Sequence, residues 1–213
     1  MKDMVSKYER ELLGVLSGYE NGVNAVIKSC NEQEKSRMRK ILHRPFLVVR
    51  AAGSGSEGTG DLLALRGDLC FPIEVKTTKA KKLYLSGRTK EQYDAMVREG
   101  ERCGLMPLYA HRLKGTRGDS WRIFRVETSS LTGSLRKLER KIPSLPLTRN
   151  GSKHIDWELG MPLNTFISIL CSEDTKFEGL IQRSDREKIP EYYPKNASEE
   201  KIDYITELLN RRS

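Results

Sequence analysis

The chain has 213 residues, of which 37% are hydrophobic and 31% charged, and its net charge is +9. This length suits one domain with a substantial core, and no apolar run approaches the roughly 20 residues that a membrane-spanning helix needs. The N-terminus also lacks the apolar core of a secretion signal. The four cysteines form no Cys-x-x-Cys pair, and the three histidines do not cluster near them. A zinc site is therefore disfavoured, and we expect reduced, mostly buried thiols in a cytosolic protein.

The positive charge is concentrated in the first 171 residues. Residues 172–213 hold 8 Lys/Arg and 10 Asp/Glu and carry −2, which leaves +11 for the remainder. A basic body favours an anionic partner such as nucleic acid. Charge alone does not decide the matter, because many soluble proteins are moderately basic.

The opening segment has the periodicity of an amphipathic helix. The apolar residues that recur on one side are Val5, Tyr8, Leu12, Val15 and Leu16. Projected at about 100° per residue, Glu9 falls inside this stripe and Glu11 outside it, so we interpret Glu11 as ordinary surface charge. An acid on the core side is costly unless it is paired or binds a metal. Glu9 is therefore a candidate metal ligand, the alternative being that it lies at the edge of the stripe and reaches solvent.

Residues 18–44 are predicted to be irregular as far as residue 22 and then helical and basic. Six cations lie in the second part, against Glu32 and Glu34: Lys28, Lys35, Arg37, Arg39, Lys40 and Arg44. We hypothesise that Arg37, Arg39 and Lys40 contact phosphate groups. A solvated helix face explains the same pattern nearly as well.

A short strand over residues 45–50 leads into a glycine-rich loop at 53–60. The loop lacks the Gly-Lys-Ser/Thr ending of a nucleotide-binding P-loop, which excludes that kind of ATP site. We interpret the loop as a mobile segment beside a site. Its Ser54 and Ser56 are possible hydrogen-bond donors to a phosphate.

Two further strand-like runs, at 61–65 and 70–76, are separated by a short turn and predict an antiparallel hairpin. The hairpin places Asp61 and Glu74 near the same end of adjacent strands. Because side chains alternate along a strand, Glu74 and Lys76 share one face. Two carboxylates beside one ammonium suit Mg²⁺, which is held by one or two carboxylates and by substrate phosphate oxygens. The pattern indicates metal-assisted cleavage of a phosphodiester; the alternative is a surface salt bridge between Glu74 and Lys76.

The rest of the chain predicts an α/β sheet with helices on its faces. Thr89 and Gln92 have the form of a capping box that opens a helix towards Gly100. Strands are expected at 105–113 and 120–127, a loop-rich stretch at 128–160, and an apolar segment packed on the domain at 161–170. From residue 172 the chain is polar and charged, and we expect a helix after residue 198.

Five segments together resemble the archaeal Holliday-junction resolvases, which belong to the PD-(D/E)xK nuclease superfamily. They are residues 8–12 (YEREL), 49–54 (VRAAGS), 61–64 (DLLA), 73–76 (IEVK) and 120–124 (SWRIF). The resemblance implies a restriction-endonuclease-like core, in which helices flank a central mixed β-sheet. On this reading residues 1–171 form the nuclease domain, with a basic helical insertion near 18–44, and residues 172–213 form a charged C-terminal extension that ends in a helix.

The resemblance also implies roles for individual residues. Glu9, Asp61 and Glu74 would bind the metal, which is Mg²⁺ with Mn²⁺ as a substitute, and Lys76 would be the catalytic lysine. Three residues match positions that the family uses around the scissile phosphate: Arg10, Arg50 and Ser54. Ser54 would also take part in catalysis. Apart from the resemblance, Lys79 just after the strand of Lys76 is interpreted as a solvated charge that also attracts phosphate, and it is a candidate for DNA contact.

The partners implied are branched double-stranded DNA and a second copy of the chain. A homodimer would hold a four-way junction between two active sites and nick two opposed strands symmetrically, in a cytoplasmic, nucleoid-associated setting. The alternative within enzymes is a related nuclease that prefers other DNA, such as a restriction-like, replication-fork or flap substrate. The alternative outside enzymes is a DNA-binding scaffold with a silent site.

Overall fold

The structure is a computed structural model that describes residues 7–51 and 58–172. Val5, Ser54, Ser56 and the C-terminal helix expected after residue 198 lie outside these ranges. The helices are α1 (Lys7–Leu16), α2 (Glu20–Ile27), α3 (Glu32–Arg39), α4 (Arg88–Cys103), α5 (Gly133–Glu139) and α6 (Leu163–Cys171). The strands are β1 (Leu47–Arg50), β2 (Leu62–Arg66), β3 (Leu69–Thr78), β4 (Lys82–Tyr84), β5 (Leu108–Leu113), β6 (Trp121–Arg125), β7 (His154–Asp156) and β8 (Met161–Pro162). Short 3₁₀ helices span Lys40–Leu42 and Trp157–Leu159. Within the described ranges, no helix combines the length and apolar character that a membrane crossing requires.

The central sheet is mixed and has the strand order β1-β2-β3-β5-β6-β8. Among the strands of residues 7–51 and 58–172 that form this sheet, only the β3–β5 pair is parallel, and helix α4 supplies the crossover between these two strands. Strands β4 and β7 form a separate antiparallel ribbon. The predicted hairpin is confirmed as β2–β3, in which Leu62 pairs with Ile73 and Arg66 with Leu69. The predicted strands over residues 105–113 and 120–127 are confirmed as β5 and β6.

Helices cover both faces of the sheet. On one face, α1 and α6 pack through Leu12, Leu16 and Phe166 onto strand residues such as Phe71 and Ile123. This core carries the apolar stripe that predicted α1, and it includes the apolar segment expected at 161–170. On the other face, α4 and the β4–β7 ribbon enclose a smaller core that contains Met96, Tyr109, Phe124 and Ile155.

The segment between α1 and β1 is more helical than expected. Residues 18–22 are not irregular throughout, because α2 begins at Glu20. Helix α3 begins at a capping box: Glu34 N donates to Asn31 Oδ1 (2.9 Å), and Asn31 N donates to Glu34 Oε2 (3.0 Å). Helix α3 packs against α6, so the basic segment is docked on the domain.

Three further expectations are wrong in detail. Helix α4 begins at Arg88 after Gly87, and Thr89 instead bonds to the backbone of Ser86, so Thr89 is not its cap. The stretch 128–160 contains α5, whose Leu135 and Leu138 are buried, and strand β7. Of the cysteines, only Cys30 is buried, and Cys103 is exposed.

Candidate active site

Asp61 is fixed to strand β3 by backbone and side-chain contacts. Its N–H donates to Ile73 O (2.8 Å), and its Oδ2 accepts a hydrogen bond from Val75 N (2.7 Å). Gly60 precedes it with a φ of +70°, and a Cβ there would lie 2.6 Å from the Ile73 carbonyl. Only glycine permits this close approach of the two backbones. The Asp61 carboxylate is therefore anchored where β2 begins.

Glu74 lies beside Asp61 on the adjacent strand. The register of the hairpin, with Leu62 opposite Ile73, places Asp61 next to Glu74. Lys76 Nζ donates to Glu74 Oε1 (2.7 Å) and to Gln92 Oε1 of helix α4 (2.9 Å). The ammonium is thus held between a strand carboxylate and a helix amide.

The ion pair of Glu74 and Lys76 is largely buried, since the two side chains are only 7% and 17% exposed. It is therefore not a surface salt bridge. Burial raises the pKa of Glu74, and the charges of Asp61 and Glu9 act in the same direction, whereas Lys76 opposes them. The site concentrates negative charge in a desolvated position, which a bound cation would stabilise.

Glu9 is partly exposed on α1, and its charge reaches Glu74. Within residues 7–51 and 58–172, no three His, Cys, Asp or Glu side chains lie close enough to hold a metal by themselves. The donors that adjoin each other are the hard carboxylate oxygens of Asp61 and Glu74. Mg²⁺ is commonly held by one or two carboxylates with substrate oxygens and water, so this pair fits it. The inclusion of Glu9 as a third ligand stays a prediction.

Glu11 is not the ordinary surface charge that the helical projection indicated. Its Oε1 accepts hydrogen bonds from Arg112 Nε (2.7 Å) and Trp121 Nε1 (2.9 Å), and its side chain is 19% exposed. It therefore ties α1 to strands β5 and β6. The projection shows only the stripe of the helix itself, and the partners of Glu11 lie on distant strands.

The candidate DNA-contacting residues fall into two groups. Arg50 ends β1 opposite Leu62, beside Asp61, and Arg10 and Lys79 are also exposed. Arg37 Nη1 of α3 donates to Asn164 Oδ1 (3.4 Å), Lys40 Nζ of the following 3₁₀ helix donates to Ser168 Oγ (3.2 Å), and Arg39 is exposed. Arg37 and Lys40 thus contribute to packing α3 on α6. Ser54 lies outside the described residues.

Gln92 is the site residue that sequence reasoning missed. The sequence pattern predicts it as part of a cap, whereas it lies inside α4 and accepts a hydrogen bond from Lys76. A glutamine in the first turns of the helix that follows the Glu-x-Lys strand is the signal that was available. The packing of α4 on the sheet, which the sequence does not show, brings the two side chains together.

His111 lies on β5 opposite Lys76 and is fully buried. Thr78 Oγ1 donates its proton to Ala80 O (2.5 Å), so it accepts from His111 Nε2 (2.9 Å). The ring is thus the neutral Nε2–H tautomer. Its Nδ1 is buried and lacks a hydrogen-bond partner among the described residues. Burial lowers the pKa of His111 to about 4 from its ordinary 6.5.

We expect His111 to make folding sensitive to acid. The unfolded chain takes up a proton at this ring near pH 6.5, and the folded chain only near pH 4. The neutral His111 ring contributes about 3 kcal/mol to the free energy of unfolding above pH 6.5. This contribution is lost as the pH falls through about 4. Urea unfolding of the wild type and of His111→Gln at several pH values measures the difference. A His43→Gln control, at an exposed histidine, should keep the wild-type slope; an equal slope in His111→Gln would contradict the assignment.

The family comparison decides the classification. The family model described as archaeal Holliday junction resolvase (Hjc) matches residues 28–150, more than half of the chain. The chain belongs to the Hjc family. The match includes Asp61, Glu74, Lys76 and Gln92 and begins after α1, so Glu9 lies outside it. Membership confirms the resemblance and the fold class predicted from the five segments.

Among solved structures, the chain is similar to Archaeoglobus fulgidus Hjc, described as a Holliday junction resolvase from an archaeal hyperthermophile. The two are 23% identical, and the alignment covers 63% of this chain and 96% of that one with a TM-score of 0.41. A search of curated protein sequences gave no significant match.

Proposed function

We propose that the chain is a structure-selective DNA endonuclease that resolves four-way junctions by Mg²⁺-dependent paired nicking. Membership of the Hjc family supports the nuclease activity. The observation that carries the proposal is the pair of adjacent carboxylates, Asp61 and Glu74, with the Lys76 ammonium held between Glu74 and Gln92. We assign this activity to residues 1–171, in which α2 and α3 form an insertion.

The residues of the site have distinct tasks in this proposal. Asp61, anchored by Val75 N, and Glu74 would hold the metal, with Glu9 as the third ligand. A Mg²⁺ ion held there would supply a water of lowered pKa and would neutralise charge that develops on the phosphate. Lys76, held by Glu74 and Gln92, would orient the attacking water or stabilise the transition state through its ammonium group. The product is a nick with a 5′-phosphate.

Arg50 binds the substrate in this proposal, because it is exposed and lies beside Asp61 through the pairing of β1 with β2. Arg10 and Lys79 add exposed positive charge, and Ser54 is a further phosphate contact in the proposal. Each phosphate contact releases counterions, so affinity should fall steeply with salt. Paired nicking needs two sites, and we propose a homodimer that supplies one from each copy.

The test is cleavage of a substrate panel by the full chain with Mg²⁺, with Mn²⁺ and with EDTA. The panel contains a four-way junction, a replication fork, a flap and a linear duplex of equal length. We expect symmetric nicks in the junction, little cleavage of the duplex, no cleavage in EDTA, and a dimer in sedimentation. Preferred cleavage of forks, flaps or duplex would assign a different nuclease activity, and binding without cleavage would indicate a scaffold.

Gln92→Ala should lower the single-turnover rate of junction cleavage by about tenfold, since Lys76 loses one of its two acceptors. Junction affinity should be unchanged, because Gln92 orients a catalytic group and does not bind the substrate. The matched control is Glu91→Ala, an exposed neighbour on the same helix. An unchanged rate in Gln92→Ala, or an equal loss in both variants, would contradict the positioning role.

A further inference from the structure

Tyr84 is an exposed aromatic side chain with one ring face already held. It ends β4, pairs with His154 of β7, and is 59% exposed. The two rings stack with their centroids 5.5 Å apart and an interplanar angle of 22°. His154 is itself only 8% exposed, so the support is rigid. This arrangement orients the tyrosine ring and leaves much of it accessible to solvent.

Tyr84 belongs to the β4–β7 ribbon, which covers the sheet face that carries the candidate active site. Its neighbour Leu85 enters the core that contains Tyr109 and against which Tyr93 packs. Tyr109 is the register partner of Glu74, and Tyr93 follows Gln92 in α4. Strand β4 also begins six residues after Lys76. Because Leu83 and Leu85 face the core, the Tyr84 ring between them lies on the outer, solvent-exposed side of the ribbon that covers this face.

The segment around Tyr84 is basic. Residues 79–90 contain no acid, and their cations are all exposed: Lys79, Lys81, Lys82, Arg88 and Lys90. Three of these cations have acidic partners, Lys81 with Glu158, Lys82 with Asp156 (3.3 Å) and Lys90 with Asp94 (2.5 Å). The Lys81 and Lys90 pairs are exposed and contribute little to stability, so a phosphate can replace their carboxylates at small cost. Asp156 is only 8% exposed, so Lys82 stays with its carboxylate. Cations that follow the backbone and an aromatic ring on which a base stacks are the features of single-strand binding sites.

We propose that Tyr84 is a stacking platform for a nucleobase that is unpaired at the branch point of the DNA. This inference rests on the proposed function and adds a source of its selectivity. In a continuous duplex the bases are stacked on each other and their faces are inaccessible. A branch point exposes base faces, so the platform stabilises branched DNA over linear duplex.

The experiment uses the full chain with Asp61→Asn to prevent cleavage, and a four-way junction that carries 2-aminopurine at the branch point. Tyr84→Ala should weaken junction binding about tenfold and abolish the fluorescence change on binding. Tyr84→Phe retains the ring and should retain both. Tyr19→Ala is the matched control at another exposed tyrosine, 62% accessible, and should also retain both. Binding of linear duplex should be equal in all variants.

Several results would contradict the proposed role of Tyr84 as a stacking platform. Unchanged binding and fluorescence in Tyr84→Ala, or an equal loss in Tyr84→Phe, would do so. So would a change of oligomeric state in Tyr84→Ala by sedimentation, because a second copy of the chain would then cover the ring. These outcomes leave the proposed function intact when the parent protein prefers junctions. A parent that binds junction no better than duplex overturns the proposed function and the platform together.

Discussion

Lys76→Met is expected to lower the single-turnover rate of junction cleavage by about 10²- to 10³-fold. The variant keeps the length of the side chain and removes the ammonium that donates to Glu74 and Gln92. Two effects combine: the transition state loses a cation, and the buried Glu74 loses the group that opposes the rise of its pKa. Glu74 then binds a proton at higher pH, and that proton competes more strongly with a metal for the carboxylate.

The control for this prediction is Lys137→Met, which removes an exposed cation on α5. It should cleave at the wild-type rate. Junction affinity, measured in EDTA, should be within a few-fold of wild type for both variants. If Lys76→Met cleaved within about threefold of wild type, Lys76 would have no role in the chemistry. If it no longer bound the junction, its role would be in binding.

Asp119→Ala should lower the free energy of unfolding by about 3–5 kcal/mol. Asp119 is 5% exposed, and its carboxylate accepts hydrogen bonds from Trp121 N (3.1 Å), Asn164 N (2.7 Å) and Asn164 Nδ2 (2.8 Å). Burial raises its pKa, and these hydrogen bonds oppose the rise. Asn164 lies in the first turn of α6, whose N-cap residue Pro162 makes no side-chain cap, so Asp119 takes that task.

Urea unfolding followed by circular dichroism measures the loss. The matched control is Asp94→Ala, which removes an exposed carboxylate paired with Lys90 and should cost about 0.3–0.5 kcal/mol. Asp119→Ala leaves three buried hydrogen-bond donors unpaired, whereas Asp94→Ala leaves only the exposed Lys90 ammonium, which water can solvate. Similar losses in the two variants would show that Asp119 does not anchor α6.

Strand β3 and its partner β2 were predictable because their signals are local. Alternation along β3 fixes the common face of Glu74 and Lys76, and the short turn fixes the register that brings Asp61 beside them. Contacts between distant segments were not predictable. The partners of Glu11 lie 101 and 110 residues away, and Gln92 meets Lys76 only because α4 packs on the sheet.

The errors in secondary structure also have local causes. Helices α2 and α5 have 8 and 7 residues, too short for a clear apolar stripe. The capping box at Asn31 and Glu34 was visible in the sequence and marks the start of α3, whereas the one read at Thr89 was false. Thr89 bonds to the turn before α4, which shows that the pattern alone does not locate a helix start.

The central claim is that Asp61 and Glu74 form one metal-dependent site for phosphodiester cleavage. Its most direct test is single-turnover cleavage of a four-way junction by Asp61→Asn at saturating Mg²⁺, beside an electrophoretic measurement of junction binding. The account predicts wild-type affinity and a loss of cleavage of about 10²-fold or more. Cleavage at the wild-type rate by a variant that binds normally would contradict it.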